Sequence, residues 1–138
     1  MQEVSVIIPN FNGMAYLDGV LAGLECQTVD DFEVILVDNG SSDGSCAFVA
    51  ARYPWVHLIE LPENFGFCKA VNEGIRASRS PYVLLLNNDI EVTDNFIEEM
   101  TDAIKRHPKA FSCAARMIQF HDRDRLDDAG NYYCALGW

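Results

Sequence analysis

Long apolar runs are missing from this sequence. None approaches the roughly 20 residues that a membrane-spanning helix needs, and Val4 to Pro9 is a short run after Gln2 and Glu3 with no basic start, so it does not read as a signal peptide. Basic residues are scarce, with 10 Lys and Arg against 21 Asp and Glu and a formal charge of −11. A nucleic-acid backbone calls for a basic patch, so nucleic acid is not expected as a partner. The same balance suits a site that recruits cations. A phosphate ligand here would need metal and backbone N–H groups to offset repulsion. C-x-x-C pairs are absent: Cys26, Cys46, Cys68, Cys113 and Cys134 are odd in number and widely spaced, which signals neither zinc nor a dithiol site. His57, His107 and His121 show no metal spacing. Reduced cysteines in a cytoplasmic protein, acting as small apolar residues, are the expectation. Glycine is thin after the first apolar run, where Pro9-Asn10-Phe11-Asn12-Gly13 holds one, against a nicotinamide or flavin G-x-G-x-x-G. No G-x-x-x-x-G-K-[ST] occurs either.

What is present is a chain of 138 residues, 49% of them apolar, enough for one domain with a real core. Tyr82-Val83-Leu84-Leu85-Leu86 is a continuous apolar run that stops at Asn87-Asn88-Asp89. Apolarity without alternation suits a strand buried on both faces, as in a parallel sheet. The polar triplet then lies at the strand's carboxyl end, where open α/β sheets bind ligands. A carboxylate flanked by amides there can serve a hard divalent cation; the bland alternative is a turn that caps the next helix.

Taken in order, Val4 to Ile8 reads as a strand closed by Pro9. Leu17, Val20, Leu21 and Leu24 recur at helical spacing between Met14 and Gln27. Phe32 to Val37 is a second strand, ending in Asp38-Asn39-Gly40-Ser41-Ser42-Asp43-Gly44, with Asp43 or Ser42 available to cap a helix from about Ser45 to Tyr53. Trp55 to Leu61 reads as a third strand and Gly66 to Ser78 as a helix. Thr93 or Asp94 can cap a helix through about Arg106. Ala110 to Phe120 reads as a further strand, His121 to Asp128 as a charged loop and Ala129-Gly130-Asn131 as a turn. The β-α alternation with short connections predicts an α/β fold: a doubly wound, mostly parallel sheet with helices on both faces. The chain stops on apolar Ala135-Leu136-Gly137-Trp138, and truncation at that end is the expectation.

Polar groups follow three of these strands: Asn10 and Asn12, then Asp38 and Asn39, then Asn87 to Asp89. In a parallel sheet those loops emerge on one edge. At this point the sequence resembles the family 2 glycosyltransferases, with their Rossmann-like GT-A fold. The residues that carry the resemblance are Val4 to Asn12, Val37 to Gly44, Asn64-Phe65-Gly66-Phe67 with Asn72 and Gly74, and Leu86 to Asp89. Residues 110–138 are similar to the bacterial rhamnosyltransferase-like branch of the family, through Asp128-Ala129-Gly130.

The resemblance implies a nucleotide-diphospho-sugar donor and makes residues 1–138 the nucleotide-sugar-binding portion of a GT-A domain. Pro9 and Phe11 would line the base pocket, with Asn12 beside them. Asp38 would accept a hydrogen bond from a base N–H, the alternative being a purely turn-forming role. Gly66 would let backbone approach the ligand. Lys69 would reach the diphosphate or remain solvated, and Asn72 would brace the loops or sit on the helix surface. Asp89 would bind Mg²⁺ or Mn²⁺. The family's Asp-x-Asp reads Asn87-Asn88-Asp89 here, so its first position can bond a ribose hydroxyl or metal-bound water but carries no charge.

The implied reaction is inverting transfer to an acceptor hydroxyl, with a carboxylate as base and oxocarbenium character in the transition state. The resemblance puts that base well downstream of Asp89. Asp122, Asp124, Asp127 and Asp128 are the late carboxylates, and the expectation is that the base and most of the acceptor site lie beyond Trp138. Cell-surface polysaccharide or glycoconjugate synthesis, a saccharide or lipid-linked acceptor, and a cytoplasmic place, including the inner face of the plasma membrane through peripheral association, accompany the resemblance. A non-catalytic nucleotide-sugar binding module is the competing reading. A haloacid-dehalogenase phosphatase would need a nucleophilic carboxylate where Asn87 stands. A phosphorylated-aspartate receiver would need paired acids where Asn10 and Asn12 stand.

Overall fold

A computed structural model describes residues 2–128. The chain divides into two compact units, one through Glu98 and one from Glu99 onward. In the first, β1 (Val4–Asn10), α1 (Met14–Glu25), β2 (Phe32–Asp38), α2 (Ser45–Arg52), β3 (His57–Glu60), α3 (Phe67–Ala77) and β4 (Tyr82–Leu85) alternate along the chain. The strands form a four-stranded sheet in the order β3-β2-β1-β4. Every neighbouring pair is parallel.

The sheet turns direction at β1, so β2 and β3 grow to one side and β4 to the other. The crossover through α3 must therefore pass over the sheet on the opposite face from α1 and α2. Ile7, Ile35 and Val37 form a buried cluster with Ala70 of α3. Gly74 completes that contact: a Cβ there would stand 2.4 Å from Cγ2 of Ile7. The alternate residues Val4, Val6, Ile8, Val34 and Leu36 point to the other face and are also buried, as are Leu17, Val20, Leu21 and Leu24 of α1.

Three local features differ from the sequence reading. β1 runs through Pro9 rather than stopping before it. Pro9 lies beyond Ile7, the last β1 residue paired with β4, so its missing N–H interrupts no ladder on that side. β4, expected to be buried on both faces, is an edge strand among the described residues. Leu84 and Leu86 are buried, but Val83 and Leu85 are 41% and 54% exposed, because α3 lies over β1 and β2 rather than over β4. The helix after β4, α4 (Phe96–Arg106), starts on a cap from far away in sequence: Gln27 Oε1 accepts from the Ile97 N–H at 2.9 Å. Thr93 contributes its backbone carbonyl to Phe96.

From Glu99 onward, α4 finishes at Arg106 and a short antiparallel pair follows, β5 (Met117–Ile118) with β6 (Leu126–Asp128). The strand expected over Ala110 to Phe120 is thus confined to Met117–Ile118, and the charged stretch expected to be loop ends as a strand. The expected turn at Ala129 to Asn131 and the apolar terminus fall outside the described residues. Among the described residues no helix is long and apolar enough to cross a membrane.

Candidate functional site

The carboxyl edge of the sheet brings the polar strand ends together. β1 and β2 run in register so that Asn10 pairs with Asp38. Parallel register at matched strand ends puts both side chains on one face of the edge, and the Asn10 amide donates to Asp38 Oδ1 at 2.8 Å. Asp38 Oδ2 accepts from the Ser41 N–H at 2.8 Å, which closes the turn after β2. Asp38 is 2% exposed. Burial alone would push its carboxyl up, but hydrogen bonds from Ser41, Asn10 and Cys46 hold it below the usual carboxylate range.

The β1–α1 and β2–α2 loops are stitched further. Asn12 takes a left-handed φ of 49°. Its N–H donates to Ser41 Oγ at 2.8 Å, and its side-chain oxygen accepts from the Ser42 N–H at 2.9 Å. Asp43 caps both helices at once: Oδ2 accepts from the N–H of Met14, the first residue of α1, at 2.9 Å, and Oδ1 from the N–H of Ser45, the first of α2, at 3.1 Å. Two helix N-termini converge on that carboxylate, and its pKa is lowered chiefly by Ser45 and the Met14 N–H.

Asn39 secures the loop before α3. Its oxygen accepts from the Phe65 N–H at 2.9 Å, and its amide donates to Asn64 Oδ1 at 2.9 Å and the Gly66 carbonyl at 3.2 Å. Gly66 has φ 86° and ψ 163°, a conformation for glycine, with open space where a Cβ would be. The fourth loop joins through Asn88, whose amide donates to Asn10 Oδ1 at 2.7 Å. Asp89, next in the chain, is exposed beside this network, and so is Asn87.

Of the residues singled out from sequence, Pro9, Phe11, Asn12, Asp38, Gly66, Asn87, Asn88 and Asp89 therefore lie on one edge of the sheet. Phe11 is 49% exposed there. Lys69 is one turn into α3, where it pairs with Glu73, which also holds Arg76 at 2.8 Å. Asn72 is exposed on the same helix. The sequence reading gave Asn10, Asn39, Ser41 and Asn64 no role beyond polarity or membership of the matching motifs, and named Ser45 only as the start of a helix. Their partners are set by strand register, which residue types do not display.

The donor set fits a hard divalent ion bound together with a diphosphate. Asp89 supplies one exposed carboxylate and its neighbours two amides, and Mg²⁺-type ions commonly take one or two carboxylates with the remaining ligands from phosphate and water. Among the described residues no group of three or more His, Cys, Asp or Glu side chains converges, so an ion at Asp89 would take most of its ligands from the bound molecule and solvent.

Open α/β sheets bind their ligands at the carboxyl edge, where the polar loops gather here. The model of glycosyl transferase family 2 matches residues 5–134, and the chain belongs to that family. It is 29% identical over 121 residues to a cholesterol galactosyltransferase of Borreliella burgdorferi, covering 86% of this chain and 34% of that protein. It is 30% identical over 116 residues to an N-acetylglucosaminyl-diphospho-decaprenol L-rhamnosyltransferase of Mycobacterium tuberculosis, covering 76% of this chain and 38% of that protein. Both relatives are thus much longer than the stretch they share with this chain. Among solved structures, S. aureus TarS 1-349 in complex with UDP superposes with a TM-score of 0.70 at 25% identity, covering 78% of this chain and 33% of that one. The fold is GT-A-like.

Proposed function

We propose that this chain is the donor-binding portion of an inverting, metal-dependent glycosyltransferase that moves a sugar from a nucleotide-diphospho-sugar to an acceptor hydroxyl in cell-surface polysaccharide or glycoconjugate synthesis. The observation that carries the reading is the single hydrogen-bonded network joining the loops after β1, β2 and β4, with exposed Phe11 and Asp89 at its margins. Family membership and the relatives that transfer galactose and rhamnose support it. The UDP complex of TarS supports a nucleoside diphosphate as the bound unit.

In this reading Pro9 and Phe11 flank the base, Asn12 shapes the turn beneath it, and Gly66 brings α3's amino end toward the diphosphate. Asp38, whose oxygens also hold Asn10 and Ser41, accepts a hydrogen bond from a base N–H, since a carboxylate can accept more than one bond at each oxygen. Lys69 sits on an exposed ion pair, worth little in water, so it is free to exchange Glu73 for a phosphate. Asn87 and Asn88 offer amides to ribose or sugar hydroxyls. Asp89 would hold the Mg²⁺ or Mn²⁺, whose contribution when bound is to offset negative charge on the departing nucleoside diphosphate. In the transfer itself an acceptor oxygen bonds to the anomeric carbon, the bond from that carbon to the diphosphate oxygen breaks, and the acceptor's proton passes to a carboxylate base. We place that base beyond Trp138, with a saccharide or lipid-linked acceptor and a cytoplasmic site of action that includes the inner face of the plasma membrane.

The test is calorimetric titration of the chain with uridine, deoxythymidine and guanosine diphosphates in the presence of Mn²⁺. Binding of at least one, weakened by Phe11→Ala, is expected; failure of all three would refute a donor site.

A further inference from the structure

We propose that Asn10 is a positioning residue that carries the polarity of the Asp38 carboxylate to Asn88, fixing which end of the Asn88 amide faces the ligand. The proposal rests on the donor-site reading above and adds a means by which the base-side loops orient the loop that holds Asp89.

Asn10 is 2% exposed, so its amide must find partners within the protein. Its two N–H groups have three oxygens within reach: Asp38 Oδ1 at 2.8 Å, Ser45 Oγ at 3.1 Å and Ser41 Oγ at 3.3 Å. Its oxygen accepts from Asn88 Nδ2 at 2.7 Å. An amide could in principle sit either way round. The carboxylate decides, because a flipped Asn10 would aim a carbonyl oxygen at an anion that can only accept. Asn10 must therefore present Nδ2 to Asp38 and Oδ1 to Asn88. An acceptor at that point forces Asn88 in turn to direct its Nδ2 inward, which leaves Oδ1 at the far end of its amide. Asn88 is half-buried, so that oxygen is the end left to offer a hydrogen-bond acceptor to a ribose or sugar hydroxyl, or to a metal-bound water.

Gly13 supplies an independent observation. A Cβ at Gly13 would stand 2.1 Å from Asn88 Nδ2 and 2.3 Å from Asn10 Oδ1. The Asn10–Asn88 bond fills the space that the missing side chain leaves, so the glycine at the entry to α1 keeps room for this link.

The exchange of charge along the relay supplies the test. Asn10→Asp sets two carboxylates against each other, which pushes side chain 10 away from its place beside Asn88. Asp38→Asn leaves one acceptor oxygen for the Asn10 and Ser41 donors, so Asn10 is no longer held one way round. The double exchange rebuilds the bond between positions 10 and 38 with the roles reversed, and a carboxylate at position 10 still accepts from Asn88. Titrating each form in Mn²⁺ with UDP, or with dTDP or GDP where the wild type binds that one instead, reads the outcome. Each single variant is expected to bind roughly tenfold more weakly, the scale of one charge-assisted hydrogen bond, and the double exchange to recover most of that loss. Because Asn10 acts through Asn88, Asn10→Ala combined with Asn88→Ala should bind no more weakly than Asn88→Ala alone. Wild-type binding with additive losses, or with no recovery in the double exchange, would overturn the relay and leave the donor site standing. No binding of uridine, deoxythymidine or guanosine diphosphate by the wild type would overturn both. Should the single charge variants fail to fold, Gly13→Ala reads the same link: unchanged affinity for that diphosphate there would overturn the relay, and a roughly tenfold loss would support it.

Discussion

Asn10 and Asp38 end adjacent strands at the same register position, and the amide of one donates to the carboxylate of the other over 2.8 Å. The second carboxylate oxygen is held by the Ser41 N–H. Asp38→Asn keeps the shape but has only one acceptor oxygen, so one of these two donors must face another donor. The expected loss is about 2 kcal/mol at neutral pH. Because hydrogen bonds from Ser41, Asn10 and Cys46 outweigh burial and hold the folded-state value below the ordinary 3.8, the carboxylate's contribution is complete above that value and disappears as pH falls through the lower one. Urea unfolding should thus show a constant gap between wild type and Asp38→Asn from neutral pH to about pH 5 that narrows below about pH 4. A gap that widens in acid would contradict this.

Asp43 bridges the first N–H groups of α1 and α2. Asp43→Ala removes both caps together, and about 1–2 kcal/mol of stability should go with them, the range of a good helix cap on an exposed site. Thermal unfolding checks it. A loss of less than a few tenths would mean that water replaces the carboxylate at both helices.

Much of this arrangement was legible beforehand. The β-α alternation and the apolar runs were enough to expect a parallel sheet, and parallel strands place every carboxyl end on one edge whatever the details. The order of the strands was not. Tyr82 to Leu86 is apolar throughout, which shows that the run favours burial but not which elements cover it, and Val83 and Leu85 turn out to lie exposed on an edge strand. Nor could Asn10 be told from any other turn asparagine. Its importance comes from register with Asp38 and from contact with Asn88, 78 positions away in the chain. Gln27 capping α4 is missed for the same reason: local motifs point to Thr93 or Asp94, and a residue far away takes the position.

Cys46 sits against the buried end of this network. Burial, then the hydrogen bond to Asp38 and its charge, push the thiol from 9.0 up to about 12. A raised value means the folded state favours the neutral thiol, a stabilisation complete below 9.0 and lost as pH climbs toward 12. Alkylation by iodoacetamide near about pH 8 requires thiolate. Peptide mass spectrometry should find the exposed Cys26, Cys68 and Cys113 modified well before Cys46, and Cys46 modified promptly only after unfolding. Equal rates in the native protein would contradict the placement.

Gly74 lets α3 rest on β1. Adding one methyl at 2.4 Å from Ile7 Cγ2 and 3.2 Å from Val37 Cγ2 leaves the helix no room without a shift. Gly74→Ala should destabilise by about 1–3 kcal/mol despite alanine's better helix propensity. A rise in melting temperature would show that the contact is looser than described.

The most direct test of a donor site at this edge is the Mn²⁺ dependence of nucleoside-diphosphate binding, measured by calorimetry for the wild type and for Asp89→Asn. UDP or dTDP is expected to bind the wild type more tightly with Mn²⁺ than without it, and Asp89→Asn is expected to lose that gain while melting at the wild-type temperature. Equal affinities in the two proteins with Mn²⁺ present would contradict it.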